Sequence, residues 1–127
     1  MKIIKGITNT EIRNMIDGLK CIKESYENNR HHIGLSCRLC ELAASSLRKR
    51  SPYARYWNIS DYSNRCDYCP WKWFTGQTCI DYGMLNYNKG LKMLDVYYNK
   101  TQQKNRKIVK QRIKQIDEWI RQLEEIV

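Results

Sequence analysis

The chain has 127 residues, 42% hydrophobic and 28% charged, a balance that suits one folded domain over 1–127 and excludes wholesale disorder or two full-sized domains. Its 23 Lys and Arg against 13 Asp and Glu give a formal charge of +10, which excludes a nucleic-acid mimic and favours acidic partners, either nucleic acid or an acidic protein surface. Nowhere do about 18 apolar residues run together, and the start Met1-Lys2-Ile3-Ile4-Lys5 lacks a signal-peptide core, so the expectation is a cytoplasmic protein that does not span a membrane.

The first element has a written start. Thr8-Asn9-Thr10-Glu11 fits a capping box, and Ile7 with Ile12 fits the hydrophobic staple around it. Ile12, Met15, Ile16, Leu19, Ile22 and Tyr26 follow at steps of three and four, one stripe of a helix over 8–30. Arg30, His31 and His32 then suit the C-terminal pole of the helix dipole, and Gly34 ends it. A second helix is expected over 38–50, with Leu39, Leu42, Ala43 and Leu47 on one side and Pro52 stopping it near Ser51. From 51 to 82 the periodicity disappears, while both prolines and Trp57, Trp71, Trp73 and Phe74 gather around three cysteines. An irregular segment of that length inside a compact domain calls for an organiser.

The last element is expected over 89–127, as one long helix or a helical hairpin. Val109, Ile113, Ile116, Ile120, Leu123 and Val127 form an a/d seam that suits packing against the N-terminal helix, antiparallel to it, with homodimerisation through the C-terminal helix as the alternative. A single helix of that length would run about 57 Å, longer than such a domain is wide. The expected fold is therefore mainly α: an N-terminal helix and a long C-terminal one packed around a cysteine-organised region over 37–82.

In a reducing cytoplasm six cysteines are better read as metal ligands than as disulfides. Cys37-Arg38-Leu39-Cys40 and Cys66-Asp67-Tyr68-Cys69 are two Cys-X-X-Cys knuckles separated by 25 residues, and two such turns complete the tetrahedral site of one zinc ion. Four thiolates close that coordination sphere, so the metal is expected to be structural rather than catalytic. Cys79 is the alternative ligand. Cys21 reads as a small half-buried side chain, and His31 and His32 as exposed residues at a helix end. A thiol oxidoreductase would place its one knuckle after a strand in a βαβ unit, for which nothing here speaks.

No Gly-rich phosphate loop, His-Glu-X-X-His pair or Gly-X-Ser-X-Gly elbow occurs, so an enzyme is not expected. Two basic clusters are candidate contacts for nucleic acid or an acidic partner. Arg48, Lys49, Arg50 and Arg55 interleave with Tyr53, Tyr56 and Trp57, while Lys104, Arg106, Lys107, Lys110, Arg112 and Lys114 form a run without acids. The competing reading of the second cluster is the solvated face of an amphipathic helix.

Across Cys37 to Cys79, the pattern Cys-X-X-Cys, Cys-X-X-Cys-Pro70-Trp71, Cys79 resembles small, uncharacterised, cysteine-rich proteins of bacteriophages and prophages. The resemblance implies a setting rather than a mechanism: an accessory protein made in the host cytoplasm. Such a protein is expected to bind and inhibit a host protein or ribonucleoprotein complex, for example a defence system such as a CRISPR nuclease. A zinc-containing DNA- or RNA-binding protein is the alternative.

Overall fold

The computed structural model describes residues 1–28, 38–51, 64–78 and 103–127, with side chains at 28 and 103–108 left aside. Among the described residues four helices have both ends defined: α1 (Asn9–Asn28), α2 (Arg38–Arg50), α3 (Pro70–Thr75) and α4 (Gln103–Glu124). No strand occurs among the described residues, and the protein is mainly helical as expected.

The capping box starts α1. Thr8 Oγ1 accepts the Glu11 amide at 3.1 Å, the Thr8 amide donates to Glu11 Oε1 at 3.2 Å, and Ile12 N–H reaches the Thr8 carbonyl at 3.0 Å. The predicted stripe, from Ile12 to Tyr26, is buried throughout. The readings at Arg30, His31, His32 and Gly34 lie outside the described residues. In α2 the expected bounds hold, with Leu39, Ala43, Ala44, Ser46 and Leu47 buried and three cations in the last turn, where the helix dipole favours them. At Gly18, an added Cβ would lie 2.9 Å from Leu39 Cδ2 and 3.0 Å from Leu42 Cδ1. The missing side chain lets α2 approach α1 closely.

Within 51–82, expected to be irregular, the structure places α3. Its signals are local. Pro70 occupies the start of the helix, where a missing N–H costs nothing. Cys69 precedes it in extended backbone, and Gly76, at φ +75°, closes it with its N–H on the Lys72 carbonyl at 2.8 Å. Six residues are fewer than two turns, too few for a periodic stripe to show. The helix buries Trp71 and Trp73, and the Lys2 amide donates to the Trp73 carbonyl at 2.9 Å, fastening the N-terminal segment to α3.

Packing between α1 and α4 is extensive. The seam residues Ile116, Ile120 and Leu123 are buried, Val109 and Ile113 partly so, and Lys23 Nζ meets Asp117 Oδ1 at 2.8 Å across the interface. Two points differ from expectation. The helix ends at Glu124, leaving Val127 37% exposed outside the seam. Trp119, which the seam omits, is buried: it stands edge-on to Trp71 (centroids 5.3 Å, 84°) and stacks on Phe74 (5.0 Å, 8°). Aromatic contacts thus dock α3 on α4. The stretch 89–102, with the question of a break, lies outside the described residues.

Candidate metal centre and cationic surface

The second knuckle is a tight turn. Three successive bonds, Asp67 N–H to Asn64 O (3.2 Å), Tyr68 N–H to Arg65 O (3.0 Å) and Cys69 N–H to Cys66 O (3.0 Å), wind 64–69 back on itself. Both intervening residues are anchored. Asp67 pairs with Lys72, its carbonyl accepts Trp73 Nε1–H at 2.8 Å, and the Tyr68 ring lies 5.2 Å from the Arg50 guanidinium. Cys69 then leads directly into α3, so the short helix and the knuckle hold one another in place.

Cys40 sits in the first part of α2, half-buried against the core, as Cys69 is. Although 25 residues separate them, the charge of Cys40 is felt at Cys66. Burial is the main cause pushing the Cys66 thiol up, and the Cys40 charge adds to it. Burial likewise raises Cys40. Against both stands the positive charge of Arg65, the residue before Cys66, which is 2% exposed. Thiols held protonated by burial are weak nucleophiles, whereas a bound cation removes the proton outright.

Of the expected ligands, Cys37 and the alternative Cys79 lie outside the described residues. Among the described residues no three ligating side chains are gathered at one point. Cys66 and Cys69 share one turn, and the charge of Cys40 on α2 is felt at Cys66. Cys21 is half-buried on α1, the expected position for a packing residue.

The cationic candidates divide. Arg48 and Lys49 are exposed at the end of α2, and Lys110 is exposed on α4. Arg50 is engaged within the fold: it donates to both Glu11 oxygens at 2.8 Å, to the Gly6 carbonyl at 2.7 Å and to the Ser46 carbonyl at 3.0 Å. That guanidinium is the chief cause holding the Glu11 carboxyl well below the usual carboxylate range, against the opposing effect of burial. Arg55 and Tyr56 lie outside the described residues, as do the side chains of Lys104, Arg106 and Lys107. Arg112, expected within the basic run, is buried, its guanidinium 4.7 Å from the centre of the Trp71 ring. It belongs to the α3–α4 contact instead.

Arg65 was the residue that sequence reasoning passed over. Its place beside Cys66 was the available signal, but adjacency alone does not distinguish a buried arginine from an exposed one.

The described segments define a mainly helical protein with no helix, among those residues, long and apolar enough to cross a membrane. Comparison with protein-family models, curated proteins and solved structures finds no match for the chain.

Proposed function

We propose that this chain is a non-enzymatic binding protein whose helical scaffold is stiffened by one structural zinc ion, held by Cys37, Cys40, Cys66 and Cys69, with Cys79 as the alternative ligand. The observation that supports the reading is that Cys40 on α2 and Cys66 and Cys69 on the 64–69 turn are all half-buried, with the charge of Cys40 felt at Cys66. Zinc there would tie α2 to the 64–69 turn and, through Cys69, to α3. Its role is to order the surfaces around it, since a closed thiolate shell leaves no position for substrate or water. The resemblance to phage proteins adds the setting: an accessory protein in the host cytoplasm that binds and inhibits a host protein or ribonucleoprotein complex, such as a CRISPR nuclease.

Metal analysis of the purified full chain tests the scaffold. One tightly held zinc per chain is expected, with loss of metal and of order over 64–78 in Cys40→Ser or Cys69→Ser, because metal affinity in such a site is folding free energy. Full zinc content in either variant would overturn the ligand assignment. The exposed Lys49, Lys110 and Lys114 support a second reading, direct DNA or RNA binding. Titration of labelled single- and double-stranded DNA and RNA at two ionic strengths decides: binding that weakens steeply with salt favours this second reading. No binding at low salt eliminates it.

A further inference from the structure

The N-terminal segment, the 64–69 turn and α3 border a cleft of about 500 Å³, within the range of about 300–1,000 Å³ usual for small-ligand sites. Ile3, Ile4 and Trp73 give it apolar walls, and Lys2, Lys72 and Asp67 supply its charges. These parts are fixed to one another. The Lys2 amide donates to the Trp73 carbonyl at 2.9 Å, and Trp73 Nε1–H donates to the Asp67 carbonyl at 2.8 Å. Ile3 and Ile4 also pack against the core, so segment, turn and helix form one frame and the cleft is preformed.

Its charged groups divide into a pair and a remainder. Lys72 Nζ meets Asp67 Oδ1 while both side chains still reach water, at 37% and 42% exposure, which sets a donor and an acceptor side by side. Lys2 is exposed and, among the described residues, meets no carboxylate. Two ammonium groups against one carboxylate leave one net positive charge at the cleft. A wholly apolar ligand would leave that charge unanswered, and a simple carboxylic acid would offer nothing to Asp67. A ligand that uses every group has an apolar-faced body, a donor and an acceptor on its edge, and an anionic tail. A nucleotide has that set: the faces of its base suit apolar walls, its edge carries carbonyl and exocyclic amine groups, and its phosphate is the anion.

We propose that this cleft binds one nucleotide unit, with Lys2 on the phosphate and the Lys72–Asp67 pair on the edge of a base that bears both a carbonyl and an exocyclic amine, such as cytosine. The proposal goes beyond the protein-partner reading and does not depend on zinc. The same unit occurs free and within a single strand, and the test separates the two sources.

The isotope-labelled full chain is titrated by NMR with cytidine monophosphate, cytidine, uridine monophosphate and oligocytidylate, following the Trp73 indole N–H and the amides of Ile3, Ile4 and Lys72. Cytidine monophosphate is expected to shift these signals together, and cytidine to bind about fivefold more weakly, the upper end for an ion pair at an exposed rim. Lys2→Ala should abolish that difference and leave cytidine binding as it was. Uridine monophosphate, which offers Asp67 no exocyclic amine, should bind more weakly than cytidine monophosphate. Oligocytidylate that shifts the same signals at lower concentration, and less so as salt rises, assigns the unit to a single strand; oligocytidylate no tighter than the mononucleotide assigns it to a free nucleotide. The absence of these shifts with cytidine monophosphate, equal binding of cytidine and its monophosphate to the wild-type chain, or equal binding of the two monophosphates overturns the proposal.

Discussion

Arg50 joins three parts of the chain through one side chain. Its guanidinium holds Glu11 at the start of α1, the Gly6 carbonyl before it and the Ser46 carbonyl within its own helix, while lying over Tyr68 of the knuckle. The Glu11 side chain is 7% exposed and that of Arg50 26%, so removing the cation strands a nearly buried carboxylate. Arg50→Ala is expected to cost about 3 kcal/mol at neutral pH, measured by urea unfolding. The pH dependence follows from the sign of the shift. Glu11 has its pKa lowered by folding, so its contribution is complete above the ordinary carboxylate range, near about pH 4.3, and is lost as pH falls towards the depressed value. The gap between wild type and Arg50→Ala should therefore narrow below about pH 4; a gap that stays constant down to the acid limb would refute the assignment. The pair of Glu118 and Arg121 provides the contrast. Arg121 holds Glu118 down to about 2, but both side chains are about half exposed, and water screens the interaction. Glu118→Gln should leave the unfolding midpoint unchanged.

Between elements, the α1–α2 contact depends on an absent side chain. Gly18 is buried where Leu39 and Leu42 cross it at 2.9 and 3.0 Å from an added Cβ. Alanine there meets the movable ends of two leucines and gains about 1 kcal/mol of helix propensity, so Gly18→Ala should be close to neutral. Gly18→Val adds two branches with no room to move and should cost about 2–3 kcal/mol. Thermal unfolding of the two variants side by side checks this, and equal stability would show that the helices separate freely. The α3–α4 contact rests on aromatic area. Trp119→Ala removes the stack on Phe74 and the edge contact with Trp71 and should cost about 3–5 kcal/mol. Helix α3 was not legible beforehand, because its evidence is a proline and a glycine six residues apart rather than a stripe. By contrast, α1 was legible because its capping box and a long apolar stripe pointed to the same residues, and α2 because an apolar stripe ran up to a proline stop.

At the scale of the whole molecule, the core joins α1 and α4 directly while the knuckle and α3 close one side of it through Trp71, Trp73, Phe74 and the half-buried cysteines. On the zinc reading this side is the least independent part of the fold. Chelation is expected to expose Trp71 and Trp73, with a red shift of fluorescence and faster amide exchange over 64–78, while the amides of α1 stay protected. Protection lost equally in α1 would mean that the knuckle organises the entire core.

What the sequence determined by itself is local or periodic: the start of α1, the bounds of α2, and the apolar faces of α1 and α4. These are set by contacts between residues a few positions apart, or by a repeat long enough to count. Only the tertiary structure decided which cations are engaged within the fold. Arg50, Arg65 and Arg112 read alike as surface charge in a chain of net charge +10, yet one clamps Glu11, one lies beside the cysteines and one covers Trp71. The partner of Arg50 stands 39 positions away. The environment of a charge is set by what the fold brings against it, and no local pattern records that.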